Sequence, residues 1–260
     1  MLLSQRLERL ANDYDDARRT VSLFLLDNAE RVPDMSMAEV AASTYTSKAT
    51  LVRVAKQLGF SGWTELSRAY AAELIRQQEH ATNVDHSLPF AAGSPAREIM
   101  TSLCQLRAET AWRTAQIQDA AAVERAANIL ARSRKIGLFG VSVNALLLAL
   151  FQRKCMTIGV DAVQPPQAEF GIFARTLTAE DCALMVSYTG ESEYRPPMKR
   201  IPLLRANGVK IISITGEGDN YLRANSDVNL TILSCESLYT KIGTFSTEES
   251  VSCVLDMLYG

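Results

Sequence analysis

The sequence contains few of the residue types that form metal-binding and proton-transfer sites. Its 260 residues include two histidines, His80 and His86, in a segment that offers no further ligand nearby. We therefore expect exposed linker histidines rather than a metal site. The five cysteines are scattered and form no C-x-x-C pair. This pattern predicts free thiols in a reducing compartment, with no disulfide, no zinc site and no bound cofactor.

Long hydrophobic runs and an excess of charge are also missing. No stretch approaches the roughly 18 uninterrupted apolar residues of a membrane-spanning helix, and charges interrupt the first leucines. We expect a cytoplasmic protein with no membrane partner. The formal net charge of −2 argues against a generally polyanion-binding protein, so any nucleic-acid surface must be local. The hydrophobic fraction of 47% is enough for real cores.

One local surface is predicted between Val40 and Thr64, where the sequence contains no acid. Just before it, Ser36 and Glu39 have the spacing of a capping box, which starts a short helix. Residues 43–46 then interrupt the helical pattern with side chains that compete for backbone hydrogen bonds. This order of elements predicts a helix-turn-helix.

The second helix of this pair is predicted to begin at the N-cap Ser47 and to end at Gly59. Its apolar stripe consists of Leu51, Val54, Ala55 and Leu58. The opposite face combines basic, amide and small side chains, which suit contacts with phosphates and base edges. The alternative is a solvated helical hairpin with a basic outer face. The predicted DNA-binding residues are Lys48, Ala49, Thr50, Arg53, Lys56 and Gln57.

The run from Thr50 to Arg53, followed by Leu58 to Trp63, resembles the N-terminal domain of the RpiR family of bacterial sugar-responsive transcriptional regulators. The chain departs from the family pattern at Val54, where the family usually has an aromatic residue. It also departs at Ser43 to Thr46, which replaces a turn that usually carries a glycine. The resemblance implies that operator DNA is a partner.

Helical patterns surround this motif. A supporting helix capped by Asp13 or Asp15 is predicted to run to about Asn28, and a further helix follows Gly62. Periodicity is then lost between His80 and Pro95. The predicted organisation is a helix-turn-helix domain at 1–79, a linker at 80–95 and a second domain at 96–260.

The second domain alternates helices with short apolar strands. Its strands are predicted at 136–140, 162–164, 182–188, 210–215 and 228–233, with helices between them, including one at 197–207. This alternation specifies a parallel sheet covered on both faces. The predicted fold class is α/β, with an all-α N-terminal domain followed by a doubly wound parallel-sheet domain.

Ligands of such sheets lie beyond the carboxyl ends of the strands, at a switch in strand order. Two predicted loops occupy such ends, Gly140 to Asn144 and Ser187 to Ser192. The second places three hydroxyls around Gly190 and has a helix predicted soon after it, which suits a phosphate. An ordinary polar turn is the alternative.

The second loop matches the S-x-S-G-x-T signature of SIS (sugar isomerase) domains, the flavodoxin-like effector module of RpiR regulators. At the first loop the family usually has G-x-G-x-S, whereas this chain has Ser142 for the second glycine and Asn144 for the serine. The resemblance implies a phosphosugar effector. The effector-binding residues predicted are Ser142, Asn144, Ser187, Thr189, Gly190, Ser192 and Glu248.

Two classes of function remain open at this point. The first class is a ligand-controlled regulator with no catalytic residues. The second class is a phosphosugar isomerase built on the same scaffold. Glu248 and Glu249, at the start of the last helix, provide carboxylates for proton transfer, or they complement the helix dipole. Because one recognition helix reads too few base pairs, a homodimer or homotetramer is predicted, with the helix from Ala96 and the last helix as interfaces.

Overall fold

The computed structural model describes residues 1–79 and 83–260 and divides into two compact units. The helical unit comprises Leu2–Asn83 together with Cys235–Ile242, and the α/β unit comprises Met1, Val84–Ser234 and Gly243–Gly260. The predicted linker histidine His80 lies outside the described residues. His86 is only half exposed and shares a hydrogen bond of 2.8 Å with Ser246 Oγ, so the expectation of an exposed His86 was wrong.

The helices of the helical unit are α1 Leu3–Asp13, α2 Ala17–Asp27, α3 Met37–Ser43, α4 Lys48–Gln57 and α5 Trp63–Glu79. Their apolar stripes meet in one core that includes Leu7, Val21, Leu51 and Tyr70. Burial of each such side chain stabilises the fold by roughly 1.5–3 kcal/mol. The Tyr70 hydroxyl donates to the carbonyl of Leu25 at 3.1 Å, so it keeps a partner inside the core.

Helix α1 is fixed by two acidic side chains. Glu73, which is only 5% exposed, accepts from the first amides of α1, those of Leu3 and Ser4. Glu8 accepts from the backbone amide of Leu238 at 2.6 Å and from the hydroxyl of Ser237 at 2.9 Å. The segment Cys235–Ile242 is therefore an integral part of the helical unit, and a fragment that ends near Glu79 lacks it.

Local expectations for this unit were met except at α2. The capping box of Ser36 and Glu39 is present, and Ser47 caps α4. Helix α2 is capped by Asp16, whose side chain accepts from the amide of Arg18, and not by Asp13 or Asp15. The reason is that α1 already occupies Asp13 as its last residue.

The α/β unit contains the strands β1 Ile136–Phe139, β2 Ala162–Val163, β3 Cys182–Val186, β4 Lys210–Gly216 and β5 Val228–Ile232. They pair in parallel in the order β2-β1-β3-β4-β5. All five residues of β3 are buried, as expected for the central strand of a sheet covered on both faces. The predicted parallel sheet is confirmed.

The helices of this unit are α6 Ala96–Gln116, α7 Ala120–Arg132, α8 Val143–Thr157, α9 Phe170–Thr176, α10 Ile201–Ala206, α11 Tyr221–Ala224 and α12 Phe245–Tyr259. Apolar residues of α7, α8 and α12 pack on one face of the sheet, and those of α9 and α10 pack on the other. The sequence pattern missed α9 and α11 because they are too short to show helical periodicity. Within the described residues, no helix is long and apolar enough to span a membrane.

Candidate functional site

Helix α4 presents the predicted DNA-binding face to solvent. Its N-cap Ser47 accepts from the amide of Thr50 at 3.1 Å, and the stripe of Leu51, Val54 and Ala55 is fully buried. The helix is therefore fixed in rotation, and the opposite face points outward. Of the predicted residues, Thr50 is half-buried, whereas the others are exposed: Lys48, Ala49, Arg53, Lys56 and Gln57.

Side chains at the start of α4 are linked to one another. The hydroxyls of Ser47 and Thr50 lie 3.0 Å apart, and Arg53 Nη2 donates to Thr50 Oγ1 at 3.2 Å. This chain of contacts holds the Arg53 guanidinium beside the first turn of the helix. Because less side-chain freedom is then lost on binding, the arrangement favours recognition of phosphate or guanine.

The turn before α4 contains a residue that the pattern did not single out. Tyr45 has a φ of 52°, in the left-handed region, and its side chain is 96% exposed. It therefore takes a conformation that glycine adopts readily, in the turn for which the RpiR resemblance implies a glycine. The neighbouring Thr44 is buried and donates to the carbonyl of Val40 at 2.8 Å, which closes the end of α3.

The acid-free stretch of sequence is not free of acids in space. Hydrogen bonds from the side chain and then the backbone amide of Arg18, with a smaller contribution from the charge of Arg53, lower the pKa of Asp16 to about 2. Asp16 therefore lies near enough to Arg53 to sense its charge, although the two are distant in sequence. Only the packing of α2 beside α4 reveals this.

Two loops of the α/β unit lie where the strand order reverses. Strand β1 pairs with β2 on one side and with β3 on the other, so the carboxyl ends of β1 and β3 form the switch point of this topology. The predicted loops after these two strands, residues 140–144 and 187–192, are thus at neighbouring positions along one edge of the sheet.

The loop after β1 turns sharply into α8. Ser142, its N-cap residue, has φ 54° and ψ −130°, a conformation that favours glycine. Gly140 leaves room for the helix, since a Cβ there would lie 2.7 Å from Leu148 Cδ1. Asn144 is only 6% exposed, and its Oδ1 has no hydrogen-bond partner among the described residues. A buried acceptor of this kind suits a ligand hydroxyl.

The loop after β3 is held in place by the loop after β4. The amide of Gly190 donates to Ser187 Oγ at 3.2 Å, and the carbonyl of Gly190 accepts from the amide of Leu222 at 2.9 Å. A Cβ on Gly190, whose φ is 60°, would lie 2.4 Å from Asn220 Oδ1. Only glycine fits here. Asn220 was not predicted, because its role depends on contact between two strand-end loops.

The loop after β4 is itself braced by Arg223 of α11, which is half-buried. Arg223 Nη2 donates to the carbonyl of Gly216 at 3.2 Å and to Thr231 Oγ1 at 2.9 Å. Burial lowers the pKa of the Arg223 guanidinium, and the nearby Glu217 and Asp219 oppose this shift. These two hydrogen bonds link α11 to the end of β4 and to β5.

The helix expected soon after Ser192 contributes nothing to this loop. A 3-10 turn begins at Met198 and α10 only at Ile201, beyond Pro196 and Pro197. Proline lacks an amide donor and disfavours helical conformation in the residue before it, so the first helical turn is displaced from the loop. The loop's own amides and hydroxyls must supply its donors.

The two glutamates of α12 have different partners. Glu248 Oε1 accepts from Thr244 Oγ1 at 2.5 Å, in the first turn of α12. Glu249 forms an ion pair with Arg107 of α6 at 2.8 Å. This pairing gives Glu249 a structural role, whereas Glu248 stays a predicted effector-binding residue. In the described part of the chain, no group of three or more His, Cys, Asp or Glu side chains is placed to hold a metal ion.

Two family models match parts of this chain. Residues 1–77 match the helix-turn-helix domain of the rpiR family, and residues 129–252 match the SIS domain. An uncharacterized HTH-type transcriptional regulator of Caldanaerobacter subterraneus is 22% identical over 255 residues, which cover 97% of this chain and 87% of that protein.

Two solved structures share the fold. The NanR protein of Vibrio vulnificus, complexed with ManNAc-6P, has a TM-score of 0.60 and 20% identity, covering 99% of this chain and 89% of that one. The phosphoheptose isomerase GmhA of Neisseria gonorrhoeae has a TM-score of 0.52 and 15% identity, covering 64% of this chain and 97% of that one. The α/β fold thus occurs both in a protein that was solved with a sugar phosphate and in an isomerase.

Proposed function

We propose that the chain is a transcriptional regulator of the helix-turn-helix RpiR type, that it binds operator DNA through α4, and that a phosphorylated sugar bound to its SIS domain controls this binding. The proposal places the protein in the cytoplasm, where a regulator of transcription meets DNA. It assigns the chain no catalytic residue.

The basic face of α4 supports the DNA-binding part of the proposal. Lys48, Arg53 and Lys56 are exposed along one side of a helix whose other side is fully buried. A major groove admits one such helix, and Arg and Lys are the residues that most often pair with guanine. DNA is expected to lie against this side.

The main observation in favour of effector binding is the hydrogen-bonded turn from Ser187 to Gly190 at the switch point of the sheet. Gly190 N donates to Ser187 Oγ, so the hydroxyl proton of Ser187 is directed away from that amide and is available to a ligand. A phosphate dianion accepts such charge-assisted hydrogen bonds, which are about twice as strong as neutral ones. That NanR was solved with ManNAc-6P supports the same class of ligand.

A second copy of the chain is part of the proposal. Helix α6 exposes Met100 and Trp112, each 68% accessible, with the exposed Cys104 between them. Met100 and Cys104 are four positions apart and share one face, and Trp112 lies farther around the same exposed side of the helix; large exposed apolar residues of this kind mark an interface. Helix α12 is a weaker choice because much of it is buried in its own unit. Light scattering should give a dimer or tetramer for the wild type and a smaller particle for Trp112→Lys.

Calorimetry tests the assignment of the effector-binding residues. The full chain is used because the helical unit includes residues 235–242, which a shorter fragment would remove from it. Matched pairs of a sugar and its phosphate are titrated into the wild type, Ser187→Ala and Thr189→Ala. We expect the phosphate of one pair to bind, and both variants to bind it more weakly. Equal affinity within each pair, or binding untouched by both substitutions, contradicts the assignment.

Titrations of operator DNA with and without the ligand that binds most tightly then test whether this ligand regulates DNA binding. A coupling of about 1–3 kcal/mol would change DNA affinity roughly 5- to 150-fold. Tight ligand binding with unchanged DNA affinity would remove the regulatory role. Sustained interconversion of aldose and ketose phosphates by the purified chain would instead favour an isomerase, the class to which GmhA belongs.

A further inference from the structure

A groove of about 560 Å³ lies in the helical unit beside α4. One wall comes from the residues that precede and begin α3, and the other comes from the first two turns of α5, with Val52 of α4 between them. The residues that line it are Pro33, Met35, Ser36, Met37, Val52, Trp63, Thr64, Ser67, Arg68 and Ala71.

Every polar side chain of this groove can donate a hydrogen bond, and none of the lining residues is acidic. Thr64, Ser67 and Arg68 follow helical spacing on one face of α5, while Leu66 and Tyr70 are buried on the other. The acid nearest to Arg68 along α5 is Glu65. Its carboxylate already accepts from the amide and the hydroxyl of Ser61, each at 2.6 Å. The groove is therefore an apolar channel edged by one cation and several hydroxyls.

The groove continues the surface of α4. Val52 is half-buried in it, and the next residue, Arg53, begins the exposed basic face. In helix-turn-helix proteins the recognition helix enters the major groove while the helix before it crosses the sugar-phosphate backbone. A channel that includes the start of α3 and the side of α4 is placed to receive that backbone.

We propose that this groove binds the sugar-phosphate backbone of operator DNA, with Arg68 pairing with a phosphate and the hydroxyls of Ser67 and Thr64 donating to it. The inference rests on the proposed function of α4. Hydroxyls and arginines are usual partners of backbone phosphates, and the apolar walls suit the deoxyribose rings. These contacts position the protein on DNA without selecting a base sequence.

The test uses the full chain and two duplexes of equal length. One duplex is selected from a random-sequence library by the wild-type protein, and the other is its scrambled version. Arg68→Ala should weaken binding to both by the same factor, roughly three- to tenfold, and should lower the salt slope by about 1. Ser67→Glu, which places an acid in the groove, should weaken both more strongly. Arg9→Ala, which removes an exposed arginine of α1 outside the groove, is the matched control.

The outcomes separate the two assignments. If Arg53→Ala weakens binding while Arg68→Ala and Ser67→Glu behave like Arg9→Ala, the groove does not hold DNA and α4 still reads it. A loss confined to the selected duplex also overturns the backbone contact, because it indicates base recognition. If Arg53→Ala has no effect either, the proposed function of α4 fails as well. Circular dichroism of each variant checks that α5 remains folded.

Discussion

Helix α4 and the strand-end loops present their predicted binding groups in different ways. On α4, Lys48, Arg53 and Lys56 project from a regular helix whose orientation is fixed by a separate, fully buried stripe. Around Gly190, by contrast, the conformation depends on contacts with Asn220, the N-cap of α11, and with Leu222 within that helix. A substitution on α4 should remove one contact and leave the fold intact. A substitution in the loops should disturb the whole site.

Replacement of Gly190 by alanine gives the largest effect expected from this difference. The new Cβ would meet Asn220 Oδ1 at 2.4 Å in a backbone conformation that disfavours alanine. Strain and overpacking together should lower the free energy of unfolding by roughly 2–4 kcal/mol and abolish phosphosugar binding. Calorimetric unfolding and ligand titration of the full chain measure both.

Gly218→Ala is the matched control for this variant. Gly218 lies in the loop after β4 with a φ of 81°, but a Cβ at this position would meet no heavy atom within 4 Å. It should carry only the backbone penalty, about 1 kcal/mol. If both variants lose the same stability, contact with Asn220 does not hold the loop.

Arg53→Ala tests the helix side of the comparison. Operator affinity should fall by about 1–3 kcal/mol, while the thermal stability and the phosphosugar affinity stay as in the wild type. Arg53→Lys keeps the charge and loses the planar guanidinium, so it separates a phosphate contact from a bidentate base contact. Restored affinity in the lysine variant would argue against base recognition by Arg53. Gel shifts on selected and scrambled duplexes provide the measurement.

The features that could be predicted from the sequence also differ between helix α4 and the strand-end loops. Periodicity and capping signals located α3 and α4 almost to the residue, because these signals act within one or two turns of helix. The same signals missed the proximity of Asp16 to Arg53 and the contact between Gly190 and Asn220. Both depend on packing between elements distant in sequence, which no local pattern records. The loop residues were found through motif resemblance, and their conformations came only from the structure.

Each unit contains a residue other than glycine with a positive φ, so the effect of a substitution by glycine can be compared between the two units. Tyr45, in the turn before α4, and Ser142, in the turn before α8, each hold a conformation that glycine adopts readily. Tyr45→Gly and Ser142→Gly should each raise stability by about 1 kcal/mol, since relief of strain exceeds the entropy that glycine adds to the unfolded chain. Only Ser142→Gly should weaken phosphosugar binding, because it deletes a predicted ligand hydroxyl. Unfolding curves paired with ligand titration check this, and unchanged ligand affinity would remove Ser142 from the site.

The smallest effect is expected at Asp16, which accepts from the amide of Arg18 at 2.9 Å to cap α2 and lies near Arg53. Asn caps helices as well as Asp, so Asp16→Asn keeps the helix, removes a negative charge that repels DNA, and releases the Arg18 guanidinium from its ion pair with Asp16. Affinity should rise roughly two- to threefold at low salt, and the gain should disappear as salt screens the exposed charge.

Because hydrogen bonds from Arg18 lower the pKa of Asp16 to about 2, the carboxylate stays ionised from pH 5 to 8, and the gain should not vary across that range. Asp27→Asn, at the other end of α2, is the control; an equal gain there would show that Asp16 acts only through net charge.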